Sequence, residues 1–189
     1  MPGQPESVPQ PWGSFLAELD ENLEEATRLD CLGGFVLTVL YGMGRPTADV
    51  DVLEIAPRQS AETVRRLAVQ GGPLHRKHGV YLQYVGPGIA RVAYDYESRL
   101  TEMFPRVFRH LRMMALDPYD LALSKLERNI QRDRDDVRYL ARTVPLDLDV
   151  LRKRYETEVR WQMAIPERED LTLQLWIDAI LEERSKNSL

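Results

Sequence analysis

The chain has a single cysteine, Cys31, so no internal disulfide can form, and a reducing, cytoplasmic setting is the expectation. No apolar run approaches the ~18 residues that a membrane-spanning helix needs. The opening stretch MPGQPESVPQPW also lacks the charged-then-apolar pattern of a secretory leader. A soluble protein with no membrane partner is expected. Positive charge is in deficit: 25 Lys and Arg against 30 Asp and Glu leave a net charge of -5, which argues against a protein whose main business is coating nucleic acid. The sequence also lacks a Ser-His-Asp or Cys-His constellation, and Cys31 reads as a small buried residue at the start of a strand. The histidines His75, His78 and His110 suit no zinc motif.

What is present is enough apolar residue, 43% of 189, to bury a real core in one domain with an appendage. Residues 1–12 are proline-rich and polar and read as a disordered arm. Residues 13–142 alternate strand and helix, and residues 143–189 form a helical extension. A helix is expected from Ser14 as N-cap, then a short strand Leu29–Leu32, a buried helix Phe35–Tyr41 and a strand Asp49–Ile55. Ser60 then caps a helix through Val69, Val80–Val85 is a third strand, and Phe108–Leu116 a fourth. Asp117-Pro118 starts a helix that runs to about Asn129, and another extends from Asp133 through Leu140. Amphipathic helices follow over Leu148–Met163 and, past Pro166, over Leu171–Ile180. The fold class is mixed α/β (α+β), a small mixed sheet flanked by helices with a helical C-terminal extension.

The stretch that carries chemistry is Cys31 to Ile55. Side chains alternate along a strand, so Asp49 and Asp51 project from one face, while Val50 and Val52 point into the layer that covers the other. Paired acids beside a glycine turn suit a hard cation such as Mg²⁺, which takes oxygen ligands and binds one or two carboxylates plus substrate phosphates. Gly33-Gly34 precedes a helix, where backbone amides and the helix N-terminus welcome phosphate oxygens. Read alone, the glycine pair is more often an ordinary tight turn and the acids are commonly solvated strand-end residues; together, about fifteen residues apart, they support each other. Arg45 and Thr47, just ahead of the aspartate strand, either orient a substrate or shape the loop.

A second constellation is Lys125, Arg128, Asn129 and Arg132, spaced to share one helix face, followed by Asp133 and Asp136. It reads either as a solvated charged face with capping acids or as a cationic row facing a triphosphate. Arg99, Arg106, Arg109, His110 and Arg112, with His75 to His78, read as a scattered basic surface or a groove for RNA.

Gly33-Gly34 with Arg45-x-Thr47-x-Asp49-Val50-Asp51, and then Asp120 to Asp136 with Lys125, Arg128, Arg132 and Asp133, resembles the minimal nucleotidyltransferase fold. More narrowly it is similar to nucleotidyltransferase-like proteins related to the AbiEii group of abortive-infection toxins, over about Leu29–Leu140. The resemblance implies Mg²⁺ (or Mn²⁺) on Asp49 and Asp51 as catalytic acids, and a nucleoside triphosphate at Gly33, Gly34, Arg45 and Thr47. It implies a phosphate contact from Lys125 with help from Arg128 and Arg132, and completion of the site by Asp133 or Asp136. The implied reaction moves a nucleoside monophosphate to a hydroxyl of RNA (tRNA) or protein, the chain being the toxin of a toxin–antitoxin pair with an antitoxin partner. Where the wider fold carries a third carboxylate on a neighbouring strand, this sequence has Gln83, which can ligate a metal but cannot act as a base. Asp95 and Glu97 are the substitutes in reach of the sequence. The alternative is a nucleotidyltransferase fold that binds nucleotide, RNA or protein without catalysis.

Overall fold

The computed structural model describes residues 7–86 and 89–186. Their packing forms two compact units, one of the described residues up to Ile89 with Arg99–Leu116, the other of Ala90–Ser98 with the chain from Asp117 on.

The first unit is built on a five-stranded open sheet of β1 (Thr27–Leu32), β2 (Asp49–Ala56), β3 (Tyr81–Tyr84), β4 (Thr101–Glu102) and β5 (Leu111–Ala115). Their spatial order is β3-β2-β1-β5-β4. β1 lies antiparallel to β2 and parallel to β5, and β2 is parallel to β3. β1 is buried along nearly its whole length, as a central strand covered on both faces must be. On β2, Val50 and Val52 are buried while Asp49 and Asp51 are half-buried. Further along, the β1–β2 pairing shifts register, Cys31 facing Val52 and Asp30 facing Glu54, so Leu53 is an extra residue on β2 and the burial phase moves with it: Leu53 and Ile55 are buried and Glu54 is exposed.

Four helices belong to this unit: α1 (Trp12–Glu21), α2 (Gly33–Tyr41), α3 (Ser60–Ala68) and α4 (Pro73–His78). α1 begins two residues before the Ser14 cap that the sequence suggested. Gln10 takes the capping role, its Oε1 accepting from the Ser14 hydroxyl at 2.9 Å and the Ser14 N–H at 3.3 Å. Residues 1–6 of the expected arm lie outside the described residues. α4 was not anticipated, because Gly71-Gly72-Pro73 reads as a stop, yet Pro at a first helical position also starts a helix. Its basic run is consumed locally. Lys77 Nζ and His78 Nε2 both meet the Glu18 carboxylate, at 2.7 and 2.8 Å, and His75 Nδ1 accepts from the Gly71 N–H at 2.9 Å. Arg112 lies 3.7 Å from Glu102.

Asp20, at the end of α1, is 8% exposed and accepts three backbone N–H groups, from Arg109 (2.9 Å), His110 (2.7 Å) and Leu111 (2.6 Å). Burial alone would raise its pKa, but the three donors outweigh burial and hold it below the usual carboxylate value of 3.8. A depressed folded-state pKa gives stability that is complete above the unfolded value and is lost as pH falls through the folded one. Asp20→Ala, which leaves these donors unpaired, is expected to cost about 2–4 kcal/mol at neutral pH. That cost should shrink as denaturation is measured further below about pH 4. A cost that does not change with pH would assign the effect to packing instead.

The second unit is helical: α5 (Pro118–Leu123), α6 (Gln131–Thr143), α7 (Leu148–Arg154) and α8 (Pro166–Lys186). Asp117 caps α5 as expected, its carboxylate accepting the Asp120 N–H at 2.8 Å. The helix does not reach Asn129. Ser124 Oγ turns back onto the Leu121 carbonyl at 2.8 Å, the chain tightens into i→i+3 bonds at Lys125 and Leu126, and Asn129 adopts φ 43°. The expected single row of Lys125, Arg128, Asn129 and Arg132 on one helix face is therefore broken between two elements. Likewise the expected Leu148–Met163 helix is interrupted after Arg154 by a π turn, Tyr155–Val159, and a 3₁₀ turn, Arg160–Gln162. Among the described residues no helix is long and apolar enough to cross a membrane.

Candidate nucleotide and metal site

The first unit assembles one site at the junction of β1, α2 and β2. Antiparallel pairing sets Leu32, the last residue of β1, opposite Asp51. The chain then enters α2 immediately, so the first turn of α2 and the aspartate strand are brought together by sheet register. Gly33 occupies φ +77°, a conformation L side chains rarely adopt, and is buried. Space as well as backbone demands glycine here. A β-carbon at Gly33 would intrude on the Asp51 carboxylate oxygen and lie 3.0 Å from its Cγ. The missing side chain is a cradle for the acid, set against helix N–H groups that have no intrahelical partners. Gly42 (φ 72°) closes α2 with a left-handed cap.

The connector back to β2 is fixed by hydrogen bonds. Thr38 Oγ1 donates to the Arg45 carbonyl at 2.9 Å, and Thr47 Oγ1 donates to Asp49 Oδ1 at 2.6 Å. Thr47 thus orients the first acid, and Arg45 lies half-buried between the two tethers. On the other side of β2, parallel pairing sets Asp49 beside Tyr81 and Asp51 beside Gln83. The strand position where a third carboxylate was sought is therefore Gln83, in direct register with Asp51. Asp95 accepts from Ser98 Oγ at 2.9 Å and, with Glu97, belongs to the second unit. Among the described residues no group of three or more His, Cys, Asp or Glu side chains is placed to hold a metal ion.

Tyr81 escaped the sequence reading. Strand alternation with a parallel β2–β3 register would have found it, but the register is a long-range property that local pattern does not give. Its ring stands edge-on to His75, centroids 5.1 Å apart. Burial first, and then the charges of Asp49 and Asp51, raise the pKa of its hydroxyl, so it stays a neutral donor beside two anions. Cys31 behaves as expected of a structural thiol. It is fully buried, and burial, reinforced by Asp30 and Asp51, pushes its pKa well up.

The donor set is carboxylate, hydroxyl and amide oxygen throughout, the chemistry of a hard divalent cation. Two carboxylates alone make an incomplete shell, which suits an ion whose remaining ligands are water and phosphate oxygens.

In the second unit, Lys125 is 6% exposed and its Nζ lies 2.7 Å from Asp136 Oδ2 and 3.8 Å from Asp133 Oδ1. Asp133 is bound side-on by Arg128, Nε at 2.9 Å and Nη2 at 2.6 Å, and also accepts the Ile130 N–H at 3.2 Å as a first-turn acid of α6. Burial opposes the charge of Asp133, but Arg128 and Lys125 outweigh it and its pKa is lowered. The two cations and two anions form a charge-balanced cluster, buried except for the exposed Arg128, that holds the α5–α6 turn. Arg132 is exposed on the first turn of α6. A second such centre, outside the sequence reading, is Arg154. It pairs with Asp117 (2.8 Å) and Asp120 (3.0 Å), and its guanidinium lies over the Tyr119 ring.

A helix-terminal glycine set against Asp51, one of two acids on the adjacent strand, sits in a mixed α/β domain with a five-stranded open sheet. The chain belongs to the family described as "Nucleotidyltransferase of unknown function (DUF6036)", which matches residues 14–181. Over 79 residues it is also 34% identical to the ketol-acid reductoisomerase (NADP(+)) of Leuconostoc mesenteroides subsp. cremoris, and equally to that of subsp. mesenteroides. That segment is 42% of this chain and 22% of either enzyme, so the chain spans about a fifth of the length of those relatives. The glycine turn that binds a dinucleotide runs Gly-x-Gly-x-x-Gly from strand into helix. Here the β1–α2 turn reads Leu32-Gly33-Gly34-Phe35 and the β2–α3 and β5–α5 turns contain no glycine. No solved structure matches the chain.

Proposed function

We propose that the chain is a Mg²⁺-dependent (or Mn²⁺-dependent) nucleotidyltransferase whose nucleoside triphosphate binds between the N-terminus of α2 and the Asp49/Asp51 face of β2. The observation that supports this is the Gly33–Asp51 contact, which sets the N-terminus of α2 against a strand carboxylate and requires glycine to do so. Asp49 and Asp51 hold the ion, Thr47 keeps Asp49 in orientation, and the Gly33 and Gly34 amides receive phosphate oxygens. When bound, the ion offsets the charge that spreads over the transferring phosphoryl oxygens. Tyr81 and Gln83 line the neighbouring strand, as neutral hydrogen-bonding groups. The transfer joins an acceptor hydroxyl to the α-phosphorus and releases pyrophosphate; RNA (tRNA) or protein is the proposed acceptor. A toxin role with an antitoxin partner rests on the motif resemblance to the AbiEii group, and a cytoplasmic location on the lone buried Cys31.

Titration calorimetry of the four nucleoside triphosphates, with and without Mg²⁺, tests the site. Metal-dependent binding by the wild type and at least about tenfold weaker binding by Asp49→Ala is expected. Binding that is indifferent to both metal and mutation would overturn the assignment.

A second reading is favoured by one observation, Gln83 in register with Asp51. A site with two carboxylates and no third acid binds a metal–nucleotide complex without completing transfer. Saturable incorporation of label from an α-labelled triphosphate into any acceptor excludes this reading.

A further inference from the structure

The sheet face that carries Asp49 and Asp51 continues onto the edge strand. β3 borders β2 on the side away from β1, and its parallel register sets Tyr81 beside Asp49 and Gln83 beside Asp51. Residues paired in this way project from the same face, and the pair between them, Val50 and Leu82, is buried on the other. Gln83 is exposed, whereas Tyr81 is half-buried and fixed. Its N–H donates to the Ala48 carbonyl at 3.0 Å, which ties the start of β3 to the connector ahead of Asp49. Its ring lies edge-on to His75, and the His75 ring is itself held by the Gly71 N–H. The hydroxyl is engaged by none of this. Among the described residues it has no hydrogen-bond partner, although the charges of Asp49 and Asp51 both reach it. A tyrosine with its ring packed and its hydroxyl unused is a donor left for a group that binds on this face.

We infer that the Tyr81 hydroxyl holds the acceptor hydroxyl of the transfer reaction in line with the α-phosphorus. This role rests on the nucleotide site proposed above. Phosphoryl transfer puts the attacking and leaving oxygens on opposite sides of the transferring phosphorus. The leaving pyrophosphate lies on the Gly33 and Gly34 amides, where β1 passes into α2, and the α-phosphorus lies over the aspartates of β2. The attacking oxygen then arrives over the next strand in the row, β3, about 10 Å from β1. There the Tyr81 O–H donates to it and fixes its approach. The acceptor oxygen forms its bond to phosphorus as the bond to the pyrophosphate oxygen breaks. The acceptor's proton goes to a carboxylate of the aspartate strand, since neither a neutral phenol nor the Gln83 amide takes it up.

Tyr81→Phe keeps the ring against His75 and removes only the hydroxyl, so it separates packing from hydrogen bonding. The full chain is given Mg²⁺, an α-labelled nucleoside triphosphate and two acceptor probes, water and unfractionated tRNA. The variant is expected to form nucleoside monophosphate and labelled tRNA at least about tenfold more slowly than the wild type. Its melting temperature and its calorimetric affinity for the Mg²⁺–nucleotide complex are expected to match the wild type. Turnover at the wild-type rate overturns the inference. So does a loss that calorimetry traces to nucleotide affinity, which would assign Tyr81 to the nucleotide instead. A wild type that binds the complex but forms product with neither probe also overturns it, and leaves the nucleotide site standing. A wild type without metal-dependent binding overturns that site itself, and the role of Tyr81 with it.

Discussion

Gly33→Ala is expected to weaken metal-dependent nucleotide binding by about a hundredfold while leaving a folded protein. Two penalties act at this position. The backbone sits at φ +77°, which costs an L-residue about 1–2 kcal/mol. The new methyl also falls on the Asp51 carboxylate, and with Cγ at 3.0 Å and Cβ at 3.2 Å from it, the acid can only rotate away from the first turn of α2. The backbone strain alone should lower the melting temperature by roughly 2–8 °C. The rotation separates the cation ligand from the phosphate amides, so affinity for Mg²⁺ with nucleoside triphosphate should fall by about a hundredfold. Asp51→Ala supplies the control. By itself it keeps the fold and loses the binding. Combined with Gly33→Ala it removes the collision, so the double variant should melt above the sum of the two single losses. A Gly33→Ala protein that binds nucleotide as the wild type does would place the site elsewhere.

How far the sequence leads depends on the range of the interaction. The aspartate strand, the glycine pair and the Asp117 cap are local patterns, and each stands where periodicity and turn chemistry put it. The pairing of Leu32 with Asp51 and of Asp51 with Gln83 is set by sheet register, which depends on residues far apart in the chain; Tyr81 went unnoticed for that reason. The Lys125 helix failed for a different one. Lys125, Arg128, Asn129 and Arg132 fit a helix face by spacing, but Ser124 turns its hydroxyl onto the backbone and Asn129 tolerates a left-handed conformation. Competing side chain–backbone bonds decided the local structure there, and counting periodicity gives them no weight. The same break moved Lys125 from a presumed surface row into a buried cluster.

Removing the charge of Lys125 is the strongest stability test of that cluster. Lys125 and Arg128 balance Asp133 and Asp136, and three of the four side chains, Arg128 apart, are at most 6% exposed. Lys125→Met leaves Asp136 as a buried carboxylate facing a methionine. Breaking a buried pair on one side costs about 3–5 kcal/mol, which for a chain of this size lowers the melting temperature by roughly 6–20 °C. Lys125→Met with Asp136→Leu removes one charge of each sign and leaves Arg128 to neutralise Asp133, so most of the loss should be recovered. Replacing a buried ion pair with apolar groups of similar volume is often neutral or better. The double variant also separates the two roles this lysine can have. A lysine whose ammonium is engaged by Asp136 at 2.7 Å serves the α5–α6 turn, and the refolded double variant should then bind Mg²⁺ and nucleoside triphosphate as the wild type does. A double variant with wild-type melting but weakened nucleotide binding would instead assign Lys125 to the phosphate, as the resemblance implied. The calorimetric and thermal measurements on one protein sample decide between them.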